Sequence, residues 1–560
     1  MDELTVTPAD SSARAAAAQT PWKWLLLIVV VGLALRVGLF SAAFSNPQFQ
    51  WGDADHYMGG AYNVAKVYRP LAARIVKAAS YEYSGFIFYL PPLYTLMLSL
   101  FARFPHYPLN AAIGQAVLGA ISAVFVYVIG RHLHTNRTGL VAAALYALWP
   151  PFVTGGDVFT QEQLYIPLVL AGLALLMSAL ERDNAMMCFG TGVVFGLAAL
   201  TRLMILFYVL LLPALIWRPR RDLLSVRRQI LPLLLGMSVI VIPYCAFMWS
   251  QTGEAMLVEN HGGFDMRNYA DRPVVGKPTL GVGLEVLVQQ ITRKPIAFVR
   301  TWLEYVRMLF KPNGMRWIES LGVFSTRPAA LVAVGLRIVC DVSYLAVIAL
   351  APIGVLLARR RWPAVMLAAW IVVVAALTAL SGTAGARYRS PAEPALLVLA
   401  AVAVTSGWRS RARVPLLCAA AVGLLLVVRL VAQVPGFGLL PPYGLRAWSP
   451  EHGIGESTAH GDIGLRVLNA ENGVEIVVQP SDALKEMVHV EVTIEGHVLF
   501  DRTAETNESV RIVWMRAGAP YLRIRATGDR TGEPIPFRFT ILPRPGSRVA
   551  DVDGMDTSGR

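Results

Sequence analysis

Runs of about 20 apolar residues recur along this chain, and each is long enough to cross a bilayer as a helix. The clearest are 24–44, 110–130, 138–155, 163–180, 187–201, 203–217, 229–249, 329–357, 363–381, 391–407 and 414–433. Hydrophobic residues make up 55% of the 560 positions and charged residues 16%. That balance is too apolar for a soluble protein of this length and points to a polytopic α-helical membrane protein.

The formal net charge of +13 would suggest a nucleic-acid partner on a soluble protein. Here the basic residues cluster in short turns between apolar runs, the pattern that marks cytoplasmic loops. No nucleic-acid partner is therefore expected; the surroundings are membrane lipid. Cys188, Cys245, Cys340 and Cys418 all fall inside apolar runs, which excludes a disulfide framework in the polar tail. The first 20 residues are Ala-rich and polar, and residues 1–22 are expected to be a disordered cytoplasmic N-terminus. The run from Trp24 to Phe44 is too long for a cleaved signal peptide.

The run 87–104 could span or lie in the interface. With the N-terminus in the cytoplasm and 87–104 interfacial, the turns Arg131–Arg137, Arg218–Arg228, Arg359–Arg361 and Arg409–Arg413 all face the cytoplasm. Pro91 and Pro92 also suit a short element better than a full span. About eleven spanning helices follow, in a transmembrane domain over 23–437. The loops 45–109 and 250–328, the segment 155–162 and the turn 382–390 then share one outer face. The localisation read from this is the plasma (bacterial inner) membrane, multi-pass, with the C-terminus periplasmic or extracellular.

Beyond Pro435–Pro442 the pattern changes to period two, as in Val488-Val490-Val492-Ile494, Val510-Ile512-Trp514 and Phe537-Phe539-Ile541. Alternation of that kind, with Gly and Asp/Asn turns between, predicts an all-β sandwich over 438–545, with an unstructured tail at 546–560.

Four polar clusters on the outer face could carry chemistry. The first is Trp51-Gly52-Asp53-Ala54-Asp55-His56-Tyr57, just after the first span. Such acids are solvated by default, but a carboxylate among aromatics can deprotonate a hydroxyl or ligate a divalent cation. The second is Asp157 with Glu162, within a turn or two of the bilayer, where an unpaired acid is costly. A helix cap accounts for Asp157 but less well for Glu162. The third is Arg202, between two apolar runs, where a snorkelling side chain is the plain alternative. The fourth is Arg387-Tyr388-Arg389-Ser390-Pro391, followed by Glu393, which could pair with one of the arginines. Paired guanidinium forks suit phosphate, and a lipid-headgroup anchor is the alternative.

These pieces in this order resemble the GT-C membrane glycosyltransferases, in the branch of protein O-mannosyltransferases and lipid A aminoarabinose transferases. The resemblance covers residues 24–430. It is carried by Gly52-Asp53-Ala54 with Tyr57, by Tyr89-Leu90-Pro91-Pro92-Leu93-Tyr94, by Gly196-Leu197-Ala198-Ala199-Leu200-Thr201-Arg202 and by Arg387-Tyr388-Arg389-Ser390-Pro391. It implies a GT-C fold, a polyprenyl-phosphate-linked sugar as donor, a glycan, lipid or protein acceptor, and inverting transfer to an acceptor hydroxyl. It implies Asp53 as general base with Asp55 beside it. Arg387, Arg389 and Arg202 would bind donor phosphate, and Tyr57, Glu162, Asp157 and Tyr89 would line the substrate site. Leu90 stands where relatives often carry a basic residue near donor phosphate, so that role would fall to the arginines. No cofactor is required by these residues; the Asp53/Asp55 pair permits Mg2+ or Mn2+ without demanding it. Two other classes fit the hydropathy, a lipid or sugar transporter or flippase and a non-catalytic assembly protein for envelope polysaccharide. Two similar halves and polar mid-membrane helices, the marks of many transporters, are not evident in the sequence.

Overall fold

The computed structural model describes residues 21–44, 54–66, 70–83, 86–154, 159–220, 223–254, 256–260, 280–310, 327–381 and 386–406, the single positions 68 and 312, and ten strands between Leu445 and Asp553. The chain divides into two compact units, Met1–Gln433 and Val434–Arg560. The N-terminal residues 1–20, Asp53, Asp157 and the apolar run 414–433 lie outside the described residues, as does the side chain of Asp55.

The first unit is helical. Its elements are α1 (Trp22–Phe44), α2 (Ala54–Lys66), α3 (Leu71–Ala79), the hairpin β1 (Ser80–Tyr83) and β2 (Phe86–Tyr89), α4 (Leu93–Phe101), α5 (Leu109–Leu133), α6 (Asn136–Ala147) and α7 (Pro150–Thr154). They continue as α8 (Glu162–Arg182), α9 (Ala185–Ala199), α10 (Met204–Arg220), α11 (Leu223–Thr252), α12 (Leu280–Arg293), α13 (Pro295–Leu309), α14 (Arg327–Ala358), α15 (Trp362–Leu380), α16 (Ala386–Arg389) and α17 (Glu393–Thr405). Among the described residues, 6 helices are long and apolar enough to cross a membrane: those at Trp22–Ser41, Leu109–Leu133, Glu162–Arg182, Arg227–Thr252, Val339–Ala358 and Trp362–Leu380. Ala185–Ala199, Met204–Trp217 and Glu393–Thr405 are apolar but shorter.

One expectation changes at this level, and one is sharpened. The run 138–155 is not one span: it breaks at Leu148–Trp149, between α6 and α7. The cause is Pro150-Pro151, since a proline disfavours helical backbone in the residue before it and offers no N–H to the turn behind. The run 87–104 holds a strand and only 9 helical residues in α4, about 14 Å of helix, too short to cross.

Close helix contact rests on glycine. A Cβ at Gly192 of α9 would lie 1.9 Å from the Leu233 carbonyl oxygen, and one at Gly236 of α11 2.1 Å from that of Phe189. The backbones of α9 and α11 thus touch, as small residues allow between helices in lipid. Gly354 of α14 meets Leu399 of α17 in the same way.

The helix ends sort into two groups. At one end, Arg361 donates to the carbonyls of Leu133 (2.8 Å) and His134, Thr138 bonds Thr405 (2.7 Å), and His132 meets Glu181 (2.8 Å). At the other end, the N-termini of α8 and α17 meet α16 and the α9–α10 junction. α6 has 12 residues and α17 13, so each covers about 20 Å, less than the ~30 Å of a hydrocarbon core. α8 is longer: from Glu181 at the Arg361 end to Glu162 at its tip it covers about 28 Å, close to that thickness.

The second unit is described as backbone strands: β3 (Leu445–Ser449), β4 (Ile454–Ser457), β5 (Asp462–Val467), β6 (Val474–Pro480), β7 (Val488–Ile494), β8 (His497–Ala504), β9 (Val510–Trp514), β10 (Tyr521–Gly528), β11 (Phe537–Pro543) and β12 (Val552–Asp553). They form two 5-stranded sheets, ordered β12-β5-β10-β7-β8 and β3-β4-β11-β6-β9, with every pairing antiparallel. The period-two runs named above fall on β7, β9 and β11. β12 lies inside the segment expected to be unstructured, where Val552 pairs with Val467.

Candidate active site

Glu162 is the first residue of α8 and is buried. An acid in the first turn meets the unpaired N–H groups and positive end of the helix dipole. Its carboxylate lies between two arginines from distant parts of the chain. Arg202 Nη1 donates to Oε1, and Arg387 Nε donates to Oε2 at 3.2 Å. The side chains of Arg202 and Arg387 keep 18% and 14% exposure against 6% for Glu162. The Tyr388 ring lies 5.3 Å from the Arg202 guanidinium and 5.8 Å from that of Arg387, both within cation–π range.

Arg389, two residues from Arg387, has a different environment. It is 2% exposed; Nε donates to Glu393 at 2.8 Å and Nη1 to the Leu309 carbonyl at 2.9 Å. Its guanidinium stacks 4.0 Å from the Tyr344 ring centroid. Burial opposes its charge, yet Tyr344 and Glu393 beside it hold the guanidinium above its ordinary value. Glu393, in the first turn of α17, also accepts from Trp149 Nε1 at 2.6 Å. Trp370 fixes the turn between α16 and α17 by donating to the Pro391 carbonyl at 2.8 Å. Of the two arginines in the fourth sequence cluster, Arg387 keeps part of its side chain exposed beside Glu162, and Arg389 is sealed into the floor below.

Tyr57 brings the first cluster close. It sits in α2, packs edge-on against Tyr94 of α4 at 5.2 Å, and accepts a hydrogen bond from Gln161 Nε2 at 2.5 Å. Gln161 is the residue before Glu162. Tyr94 is held in turn by Gln115 of α5 at 3.1 Å. The helix that begins at Ala54 is therefore tied to the residue beside the buried acid.

Tyr89 ends β2. Its N–H donates to Asn260 Oδ1 (2.7 Å) and its carbonyl accepts from Asn260 N–H (3.1 Å). Burial, then the charge of Glu254, push its phenol up. The Pro91-Pro92 turn behind it delivers Leu93 N–H to the Leu200 carbonyl at 3.0 Å, next to Arg202. Three of the sequence motifs thus meet: the Pro-Pro turn, the α9–α10 junction and the arginine turn. Asp53 and Asp157 lie outside the described residues, and the side chain of Asp55 does too.

A cleft of about 490 Å3, its open mouth included, runs from Glu162 past Thr160, Gln163 and Ser390 to Tyr146 and Arg36. Arg36, Trp149 and Gln161 were not singled out from the sequence. A signal existed for Arg36, a charge set inside an apolar run; Trp149 and Gln161 make contacts no local pattern announces. Among the described residues, no group of three or more His, Cys, Asp and Glu could hold a metal ion.

In sequence the chain resembles the GT-C membrane glycosyltransferases. More particularly, residues 90–249 match the family described as dolichyl-phosphate-mannose-protein mannosyltransferase. The matched segment contains Trp149, Glu162 and Arg202. No curated protein sequence matches the chain. Among solved structures, ArnT from Cupriavidus metallidurans bound to undecaprenyl phosphate is similar at 14% identity and a TM-score of 0.42, over 75% of this chain and 72% of that one. The archaeal oligosaccharyltransferase AglB from Archaeoglobus fulgidus is similar at 17% identity and a TM-score of 0.35, over 74% of this chain. This chain spans about half of that one, 55%. Arabinosyltransferase EmbB from Mycobacterium smegmatis is similar at 12% identity and a TM-score of 0.24, over 98% of this chain and 69% of that one.

Proposed function

We propose that this protein is a membrane glycosyltransferase that moves a sugar from a polyprenyl-phosphate donor to an acceptor hydroxyl, with inversion at the anomeric carbon. The observation that carries the reading is the convergence of Arg202 and Arg387 on Glu162 at a partly open cleft. The acid fixes both guanidinium groups before a ligand arrives, so their remaining donors are already aimed when negative charge grows on a departing phosphate. Preorganisation of this kind contributes through electrostatics, without reorganisation during the step.

Asp53 is the general base in this reading. It immediately precedes α2, and Tyr57, four residues on, is bonded to the neighbour of Glu162. Asp53 takes the acceptor's proton as the acceptor oxygen attacks the anomeric carbon. The bond to the phosphate oxygen breaks on the opposite face, and Arg202 and Arg387 offset the charge left there. Arg389 serves as a positioning residue, since its donors are engaged by Glu393 and Leu309. Asp55, Asp157, Glu162 and Tyr89 contribute to the substrate walls, and a divalent cation at Asp53/Asp55 is compatible with the same step.

The test is transfer from a polyprenyl-phosphate sugar by purified full-length protein in lipid. Asp53→Asn is expected to lower the rate by about 10²–10⁴-fold while thermal unfolding stays at the wild-type temperature. Wild-type turnover in that variant would remove Asp53 from the mechanism.

A further inference from the structure

The proposed reaction leaves one cleft-lining cation without a role. Arg36 lies 14 residues beyond Trp22, about 21 Å along α1, and is 2% exposed. Its Nη1 donates to the carbonyls of Gly32 (3.0 Å) and Ala147 (3.3 Å), and Nη2 to that of Tyr146 (3.5 Å). A guanidinium has five N–H donors. These contacts use three, which leaves Nε–H and one Nη2–H. Among the described residues no carboxylate pairs with it.

Space has been left around this group. A Cβ at Gly32 would come within 3.0 Å of Nη1, and one at Gly119 within 3.2 Å of Nε. Gly119 and Arg36 both line the cleft, whose walls also include Tyr146, Thr160, Ser390 and, farther along, Glu162. Arg202 and Arg387 are not among those walls.

Tyr146 and Ala147 are the last two residues of α6, so Arg36 caps the unpaired carbonyls of that helix end. Capping explains two donors, and the Gly32 carbonyl of Arg36's own helix takes a third. Neither explains a full charge buried at this depth with no counter-ion among the described residues, beside a polar cleft. Such a charge is costly until an anion joins it.

We propose that the Arg36 end of the cleft is an oxyanion subsite, distinct from the Arg202/Arg387 pair, that takes a phosphate or carboxylate group through Nε–H and Nη2–H of Arg36. The group supplies the missing counter-charge, and the adjacent donors match two oxygens of one anion. The ligand is either the phosphate of a lipid carrier or an acidic group on a water-soluble acceptor. The inference does not depend on the transferase reading, because its readout is binding.

The experiment uses full-length protein in zwitterionic lipid nanodiscs, in an Arg387→Gln background so that the cleft is read alone. Inorganic phosphate and farnesyl phosphate are titrated separately. Arg36→Met is expected to weaken binding of at least one probe about tenfold or more, and Arg36→Lys, which keeps charge but loses the fork, less. Loss for both probes points to a water-soluble acid as well as a lipid; loss for farnesyl phosphate alone points to the lipid carrier. Should Arg36→Met fail to fold, Gly119→Ala, which crowds Nε, is expected to weaken the same probe. Unchanged affinity for both probes in the folded variants, or no binding of either to the starting protein, would overturn the proposal and leave Arg36 as a helix cap only.

Discussion

The two ends of the helical unit handle charge in opposite ways. At the Arg361 end the charges are open to solvent: Arg359, Arg360 and Arg361 are exposed, and Glu181 keeps 49% exposure in its contact with His132. At the Glu162 end the charges are sunk and interlocked, with Arg389 and Glu393 at 2% and 1% exposure. Exposed basic turns cost little to solvate and can serve as orientation signals. Buried arginines and acids cost several kcal/mol each to desolvate, so they persist only where they pair. The network at the Glu162 end persists because each buried charge in it has a partner.

That contrast can be broken or sharpened by substitution. The largest effect is expected at the sealed pair. Arg389→Met leaves Glu393 buried without its cation and should lower stability by about 3–5 kcal/mol, read as a fall in unfolding temperature in lipid. The double variant Arg389→Met/Glu393→Leu should recover part of that loss, because no lone charge remains, although Trp149 loses its acceptor there. Next comes Arg387→Gln, at the open side, which should cut transfer about 10²–10³-fold with a smaller change in stability. If instead its stability fell as far as that of Arg389→Met, the division between floor and cleft would fail. Tyr57→Phe removes the hydrogen bond from Gln161 and should cost about 1 kcal/mol, with a rise in KM as α2 loosens. Glu181→Ala, at the exposed end, should stay within about 0.5 kcal/mol of wild type.

Much of the site was legible because polar residues at the edges of apolar runs are expensive unless they pair. Glu162, Arg202 and Arg387 were each singled out on that ground, and the structure joins them. The partner choice was not legible. Arg387 and Arg389 stand two residues apart, and only the one-turn helix α16 decides that one reaches Glu162 and the other Glu393. The break at Leu148–Trp149 was passed over because hydropathy averages across it, although Pro150-Pro151 carried the signal. Arg36 was hidden the same way, one charge among some twenty apolar neighbours. In the second unit the alternation marked three strands, while β4 and β12 are too short for a period to show.

The central claim is that the acid before α2 and the arginines of the cleft share one aqueous compartment, opposite the Arg359–Arg361 turn. Single cysteines at positions 53, 387 and 360, in a background without Cys188, Cys245, Cys340 and Cys418, can be labelled with a membrane-impermeant thiol reagent from each side. Positions 53 and 387 should react from one side and 360 from the other; labelling of 53 and 387 from opposite sides would contradict the account.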